Sequence, residues 1–254
     1  MSSKDTLRQF GNLFTMLLAL TVNILANALP LNGQNTGEIS DRFKVYFVPA
    51  GYVFAIWGVI YLGWIAFIVY QFLPAQKESP RLRALGYLFA LSCTCNAAWL
   101  FCWHYNQFGL SVLVMLTLLG LLIASYVKLN IGRVQVSAAE KWCIDIPFSM
   151  YLGWITVATV ANISDYLYFI GWNGLALAPQ WWAVIMLAVA TLLGLGMAIT
   201  RRDAAYCFVL VWSFIGIAMK QSPAALVADS AWVAALFALG FGIYSLTKRR
   251  DVLA

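Results

Sequence analysis

Eight apolar stretches of about 20 residues recur along this chain, and they constrain its fold more than any motif does. They run roughly over 10–29, 50–73, 84–104, 108–128, 142–164, 179–200, 203–219 and 228–246. A hydrocarbon core of about 30 Å is crossed by about 20 helical residues, so each stretch predicts a membrane-spanning helix. The seventh is the shortest, bounded by Asp203 and Lys220. Composition points the same way. The chain is 63% hydrophobic and 10% charged, whereas soluble chains run about 45–50% and about 25%. A soluble fold with this much apolar surface would have nothing left to cover its outside. The expected fold class is therefore all-α, a polytopic transmembrane helix bundle of about eight spans, and the first expected partner is the lipid bilayer.

Charge placement gives an orientation. With the N-terminus cytoplasmic, the inside segments hold Lys4, Arg8, Lys77, Arg81, Arg83, Lys128, Arg133, Lys141, Arg201, Arg202, Lys248, Arg249 and Arg250. The outside loops hold only Arg42, Lys44 and Lys220, so the 16 basic residues divide 13 to 3. Removing one middle span would scatter the later charges to the wrong side. The bias predicts an even number of spans, both termini cytoplasmic, in a cell inner (cytoplasmic) membrane. The net charge of +6 is explained by these connectors, and no nucleic-acid partner is expected. Ala26-Asn27-Ala28 mimics a cleavage site after the first stretch, but losing that helix would destroy the even topology, so a retained helix is the expectation.

The loop over 30–48 is the one long outside connection with a character of its own. It is polar, contains Gly33 and Gly37, and turns aromatic towards Pro49. Loops longer than about 12–15 residues are often lids or binding segments; a solvated connector is the other reading.

Polar and aromatic residues inside the spans need an explanation, because lipid-facing positions favour Leu, Ile, Val and Phe. In the fifth span Tyr151, Trp154, Ala158 and Asn162 share one arc of the helix, with Pro147 a turn earlier. In the third, Ser92, Asn96, Trp99 and Trp103 form a similar stripe, and in the second Phe54, Trp57, Tyr61 and Trp64 do so. Asn23 and Asn27 add carboxamides to the first span. Lining a shared interior, these stripes would suit a flat, largely apolar ligand. The competing reading is helix packing, with Asn as interhelical glue worth roughly 1 kcal/mol and Trp as an interfacial anchor.

Other residues carry less. Asp145 and Asp165, near the two ends of the fifth span, are expected as interface residues rather than a proton relay. His104, beside Tyr105 and Asn106, is expected at a hydrated helix end. Ala234, Ala238 and Gly242 form a small-residue ridge suited to close helix packing or a dimer contact. One histidine cannot furnish a paired-His metal site, Cys93 and Cys95 point apart on a helix, and five cysteines in or beside apolar stretches do not read as a disulfide framework. No nucleophile elbow, phosphate loop, zinc-protease helix or dinucleotide fingerprint is present. Neither an enzyme nor a metal site is expected, and no cofactor is required.

Three motifs carry a family resemblance. KVYFVPAGYVFAIWGVIY resembles the start of the second helix of the tryptophan-rich sensory protein and translocator protein family, TspO/MBR. YLGWITVATVAN resembles its Tyr-Leu-Ala-Trp-x-x-x-Ala-Thr-x-x-Asn fifth helix, and CNAAWLFCW its Asn-x-x-Trp third helix. Together they span roughly residues 40–165. The resemblance implies a five-helix bundle whose pocket opens towards the first outside loop, binding porphyrins, haem-like tetrapyrroles and other flat hydrophobic molecules, often as a dimer. Carried over, Asn96, Trp99, Tyr151, Trp154 and Asn162 match pocket positions. The chain departs in having Tyr52 for the family's Trp, Ala55-Ile56 in place of a Gly-Pro, and three further helices without a counterpart in the five-helix form.

These readings combine into a TspO-like five-helix membrane core over 1–166, with its loop 30–48, and a three-helix membrane extension over 167–254. The expected function is a sensor or translocator that binds a planar hydrophobic ligand such as a porphyrin, haem or related tetrapyrrole. The expected ligand-binding residues are Asn23, Asn27, Tyr52, Trp57, Tyr61, Asn96, Trp99, Trp103, Tyr151, Trp154 and Asn162, with the 30–48 loop as lid. Two rival readings stand beside it: a secondary transporter of a small hydrophobic molecule, and a structural subunit of a larger membrane complex. A homodimer is the assembly that the resemblance implies.

Overall fold

The computed structural model describes residues 3–29 and 31–247, with the side chains of Ser3 and Asn27 left out. Among the described residues the regular structure is helical. It runs as α1 (Ser3–Ala28), α2 (Thr36–Asp41), α3 (Ile56–Gln71), α4 (Pro80–Leu85), α5 (Leu88–His104), α6 (Phe108–Lys128), α7 (Ala138–Glu140), α8 (Ile146–Phe169), α9 (Pro179–Arg201), α10 (Ala204–Lys220) and α11 (Ala225–Thr247). The all-α polytopic class is thus the observed one. Among the described residues six helical segments are long and apolar enough to cross a membrane: Lys4–Ala26, Gly51–Gln71, Phe108–Lys128, Ala138–Phe169, Pro179–Arg201 and Ala225–Thr247. The expected third and seventh spans, α5 and α10, are shorter, at 17 residues each. At 1.5 Å per residue each is about 25 Å long.

Local chemistry explains where the helices stop. Pro80 and Pro179 occupy first-turn positions, where a missing N–H costs nothing. Asn35 and Glu38 close a reciprocal capping box on α2. Between α9 and α10 the chain reverses in two residues: Arg202 takes a left-handed C-cap with φ 55°, and the Asp203 carboxylate accepts from the Tyr206 N–H at 3.0 Å. Before α8 a wide π turn over Lys141–Asp145 leads into Pro147.

The chain divides into two compact units. The first is the chain up to Val45 together with Phe54–Trp172; the second is Tyr46–Val53 together with the chain from Asn173 onward. In the first unit α1 packs on α5, α5 on α6, α6 on α8, α8 on α3 and α3 on α1, which closes a ring of five helices. One close approach in this ring depends on glycine: a Cβ on Gly63 of α3 would lie 2.9 Å from the Pro147 Cβ. In the second unit α9, α10 and α11 pack pairwise into a triangle. The small-residue ridge of α11 is consumed there, with Ala238 fully buried and a Cβ on Gly242 meeting the Phe208 ring at 2.7 Å.

Candidate functional site

Most hydroxyls inside the spans have partners within their own helix. Thr15, Thr117, Ser125, Thr156, Thr159 and Ser164 each donate to the carbonyl four residues earlier, at 2.7–2.9 Å. Against that background, four side chains of the five-helix unit stand out. Trp64 Nε1, Asn96 Nδ2, the Tyr151 hydroxyl and Trp154 Nε1 are buried and have no hydrogen-bond partner. Their residues are 1–2% exposed. An unpaired buried donor costs about 1–3 kcal/mol, and several in one place call for an explanation.

The four belong to one neighbourhood. Trp64 and Tyr151 meet edge to face at 5.1 Å. Trp57 bridges them to Trp154, 6.0 Å from the Tyr151 ring and 6.2 Å from the Trp154 ring. Tyr61 stacks on Trp57 at 5.6 Å and 23°, and Phe54 meets Trp154 edge to face at 5.7 Å. The Tyr151 hydroxyl faces the Asn96 carboxamide without hydrogen-bond geometry. Asn96 is fixed on its other side, its Oδ1 accepting from Asn23 Nδ2 at 2.7 Å; Asn23 also donates to Ala19 O at 2.8 Å. Helices α1, α3, α5 and α8 therefore contribute to one aromatic cluster whose free polar atoms are N–H and O–H groups.

A second cluster lies further along α8. Asn162 is eight residues beyond Trp154, about 12 Å along the axis. Its Oδ1 accepts from Trp99 Nε1 at 3.0 Å, and its Nδ2 donates to Ser111 Oγ at 3.0 Å. Trp99 stacks on Trp103 at 5.6 Å and 19°. Trp103 in turn donates from Nε1 to Thr36 O at 3.3 Å. These polar groups are satisfied by one another, which is what helix packing requires.

The loop after α1 covers this second cluster. Phe43 lies 5.1 Å from the Phe108 ring and 6.2 Å from the Trp103 ring. Arg42 Nη2 donates to Asn106 Oδ1 at 2.5 Å. His104 ties the loop down. It is not a hydrated helix end: it is 1% exposed, because Leu31 and Thr36 fold over it. Its Nδ1 is 3.1 Å from Leu31 O, which can only accept, so Nδ1 donates there. Nε2 lies 3.2 Å from the Thr36 hydroxyl. Asn32 Nδ2 adds a bond to His104 O at 3.0 Å.

The opposite end of the ring is laced by polar bonds. Asp5 accepts from Arg8 at 3.1 Å and from Arg83 Nε at 3.0 Å and Nη2 at 2.5 Å. This hydrogen bond, followed by the charge of Asp5, raises the Arg83 pKa above its ordinary value. Gln9 and Gln71 exchange side chain-to-carbonyl bonds at 2.5 and 3.1 Å, and Asn12 donates to Gln71 Oε1 at 2.9 Å. Asp145 pairs with Arg81, which also reaches Leu129 O at 2.9 Å.

The structure thus brings together Asn23, Trp57, Tyr61, Asn96, Tyr151 and Trp154 of the expected site. It places Trp99, Trp103 and Asn162 in the neighbouring satisfied cluster. Tyr52 belongs elsewhere: in the second unit it meets Trp212 edge to face at 5.5 Å and its hydroxyl donates to Met219 Sδ at 3.0 Å. The Asn27 side chain lies outside the described residues. Trp64 belongs to the α3 stripe but not to the expected set of site residues, and Ser111 carries no signal of its own among the apolar residues of α6. Among the described residues no group of three or more His, Cys, Asp or Glu is placed to hold a metal ion.

Neither a curated protein nor a solved structure matches the chain. A family model described as TSPO-like protein matches residues 9–244. The match takes in α9, α10 and nearly all of α11, the helices that the shorter motif resemblance left without a counterpart. Covering nearly the whole sequence, it shows that this chain belongs to the TSPO-like protein family.

Proposed function

We propose that the protein is a membrane receptor for a planar, largely apolar molecule carrying hydrogen-bond acceptors, with a tetrapyrrole such as a porphyrin or haem as the ligand class. The single observation that carries this reading is the set of four unpartnered donors on Trp64, Asn96, Tyr151 and Trp154. A ligand that supplied acceptors to them would remove the cost of leaving them unpaired, and rings of Trp57, Tyr61 and Trp154 would pack on its faces. Asn23 positions the Asn96 carboxamide through its 2.7 Å bond, leaving Nδ2 to point at the ligand. In this reading residues 31–43, held by His104, form the lid on the outer side, and the N-terminus is cytoplasmic.

Titrating the purified full-length protein with protoporphyrin IX and following tryptophan fluorescence tests the proposal. Saturable quenching, weakened when Asn96→Ala and Trp154→Ala are combined, is the expected result. Absence of saturable quenching, or quenching untouched by the two substitutions, overturns it.

A further inference from the structure

Between the unpartnered donors and the end that carries Asp5, three phenylalanines meet across the middle of the five-helix unit. Phe67 of α3 lies 4.7 Å from Phe89 of α5 and 5.3 Å from Phe148 of α8, and Phe89 lies 5.8 Å from Phe148. All three are buried, at 1–4% exposed. Around the ring of helices α5 stands between α1 and α6. Contacts from α5 to α3 and α8 therefore cross the interior, and the three rings close the space that the helices enclose.

The triad adjoins the donor cluster directly. Phe67 is three residues past Trp64 on α3, and Phe148 is three residues before Tyr151 on α8. Each step is about 4.5 Å along the helix axis and keeps to one face. Phe89 itself meets the Trp64 ring edge to face at 6.0 Å. On the far side the packing is pinned. Gln71, one turn beyond Phe67, exchanges hydrogen bonds with Gln9 and ties α3 to α1. Pro147, next to Phe148, lies so near Gly63, next to Trp64, that a Cβ there would be 2.9 Å from the proline Cβ. Rings packed edge to face between helices held this closely do not move aside for a bulky neighbour.

We infer that Phe67, Phe89 and Phe148 are the floor of the proposed site and determine how large a substituent the ligand carries on its acceptor-bearing edge. This rests on the binding reading above, in which acceptors that meet Trp64 Nε1 and the Tyr151 hydroxyl bring that edge against the triad. The donors decide what chemistry the edge presents; the three rings decide how far it extends.

The test compares the dimethyl and dibutyl esters of protoporphyrin IX, neutral probes that share the ring and its carbonyls and differ in alkyl length. Dissociation constants are read from tryptophan quenching of the full-length protein as wild type, Phe89→Ala, Phe89→Leu and Phe101→Ala. Phe101 is the control, 46% exposed on the outer face of α5. Wild type binds the dimethyl ester at least about tenfold more tightly than the dibutyl ester, since one methylene against an apolar wall is worth about tenfold or more. Phe89→Ala removes one ring of the floor and narrows that ratio about tenfold. Phe89→Leu, which keeps the core better filled, narrows it about threefold, and Phe101→Ala leaves it as in wild type. General loosening of the bundle weakens both probes together and does not move their ratio. Parallel weakening in the Phe89 variants, equal binding of the two esters by wild type, or an equal shift in Phe101→Ala overturns the inference and leaves the receptor reading in place. If wild type binds protoporphyrin IX but neither ester, admission of the dimethyl ester by Phe89→Ala sustains the floor, and continued exclusion overturns it. If wild type binds none of the three porphyrins, the receptor reading falls and the floor with it.

Discussion

A hydroxyl buried without a partner works against folding, and it persists where something other than folding uses it. Tyr151 is such a group, 1% exposed with its oxygen unpaired. Tyr151→Phe keeps the ring contacts with Trp57 and Trp64 and removes only the oxygen. Detergent-solubilised Tyr151→Phe is expected to melt higher, by about 1 kcal/mol of stability, while binding protoporphyrin IX less tightly; a drop in stability shows the hydroxyl to be structural. Asn162 predicts the opposite. Asn162→Leu leaves Trp99 Nε1 without its acceptor and Ser111 with only its bond to Phe108 O, and lowers the melting temperature, for a loss of about 1–3 kcal/mol. The two asparagines also show what sequence could and could not reveal. Both stood out as carboxamides at a helical spacing from tryptophan, yet Asn162 is fully engaged and Asn96 keeps its amide free. The difference is made by Ser111 of α6 beside Asn162 and by Asn23 of α1 beside Asn96, long-range neighbours that a local pattern does not name. The burial of His104 escapes a local pattern for the same reason, since the residues that cover it lie 68 and 73 positions away.

At the scale of elements, the helices were legible and their ends nearly so, because apolar length, prolines and caps are written locally. Which helices touch was not, since even a glycine that permits a close approach does not name the helix that will make it. Gly63 shows this best. Its missing Cβ lets α3 approach Pro147 of α8, with 2.9 and 3.2 Å left to the Pro147 Cβ and Cγ. The proline ring is stiff and cannot yield. Gly63→Ala is expected to separate α3 from α8 and cost about 1–3 kcal/mol, read as a lower melting temperature. Gly58→Ala serves as the control on the same helix, since nothing lies within 4 Å of the added Cβ; it leaves stability unchanged or slightly raised, alanine being the better helix former. Equal melting temperatures for the two variants overturn the close-packing argument. Gly216 belonged to the same class of signal, but a lone glycine in an apolar helix does not say that residues 46–53 will lie on it.

For the molecule as a whole, binding and passage make different demands on the five-helix unit. Passage across the membrane needs the end that carries Asp5 to open. That end is closed by the Asp5 bonds to Arg8 and Arg83, the Gln9–Gln71 exchange, the Asn12 bond to Gln71 and the Arg81–Asp145 pair. Its acidic groups Asp5 and Asp145 are each held in ion pairs with arginine. Opening would have to break these bonds together in a medium that offers few replacements. A receptor needs none of this and gains rigidity from it. In proteoliposomes the protein is therefore expected to bind protoporphyrin IX to a saturating level near one ligand per chain, unaffected by collapse of an imposed proton gradient. Asp5→Asn combined with Gln71→Leu weakens the closure and lowers the melting temperature without producing accumulation. Luminal porphyrin in excess of the protein, or uptake that follows the gradient, replaces the receptor with the transporter.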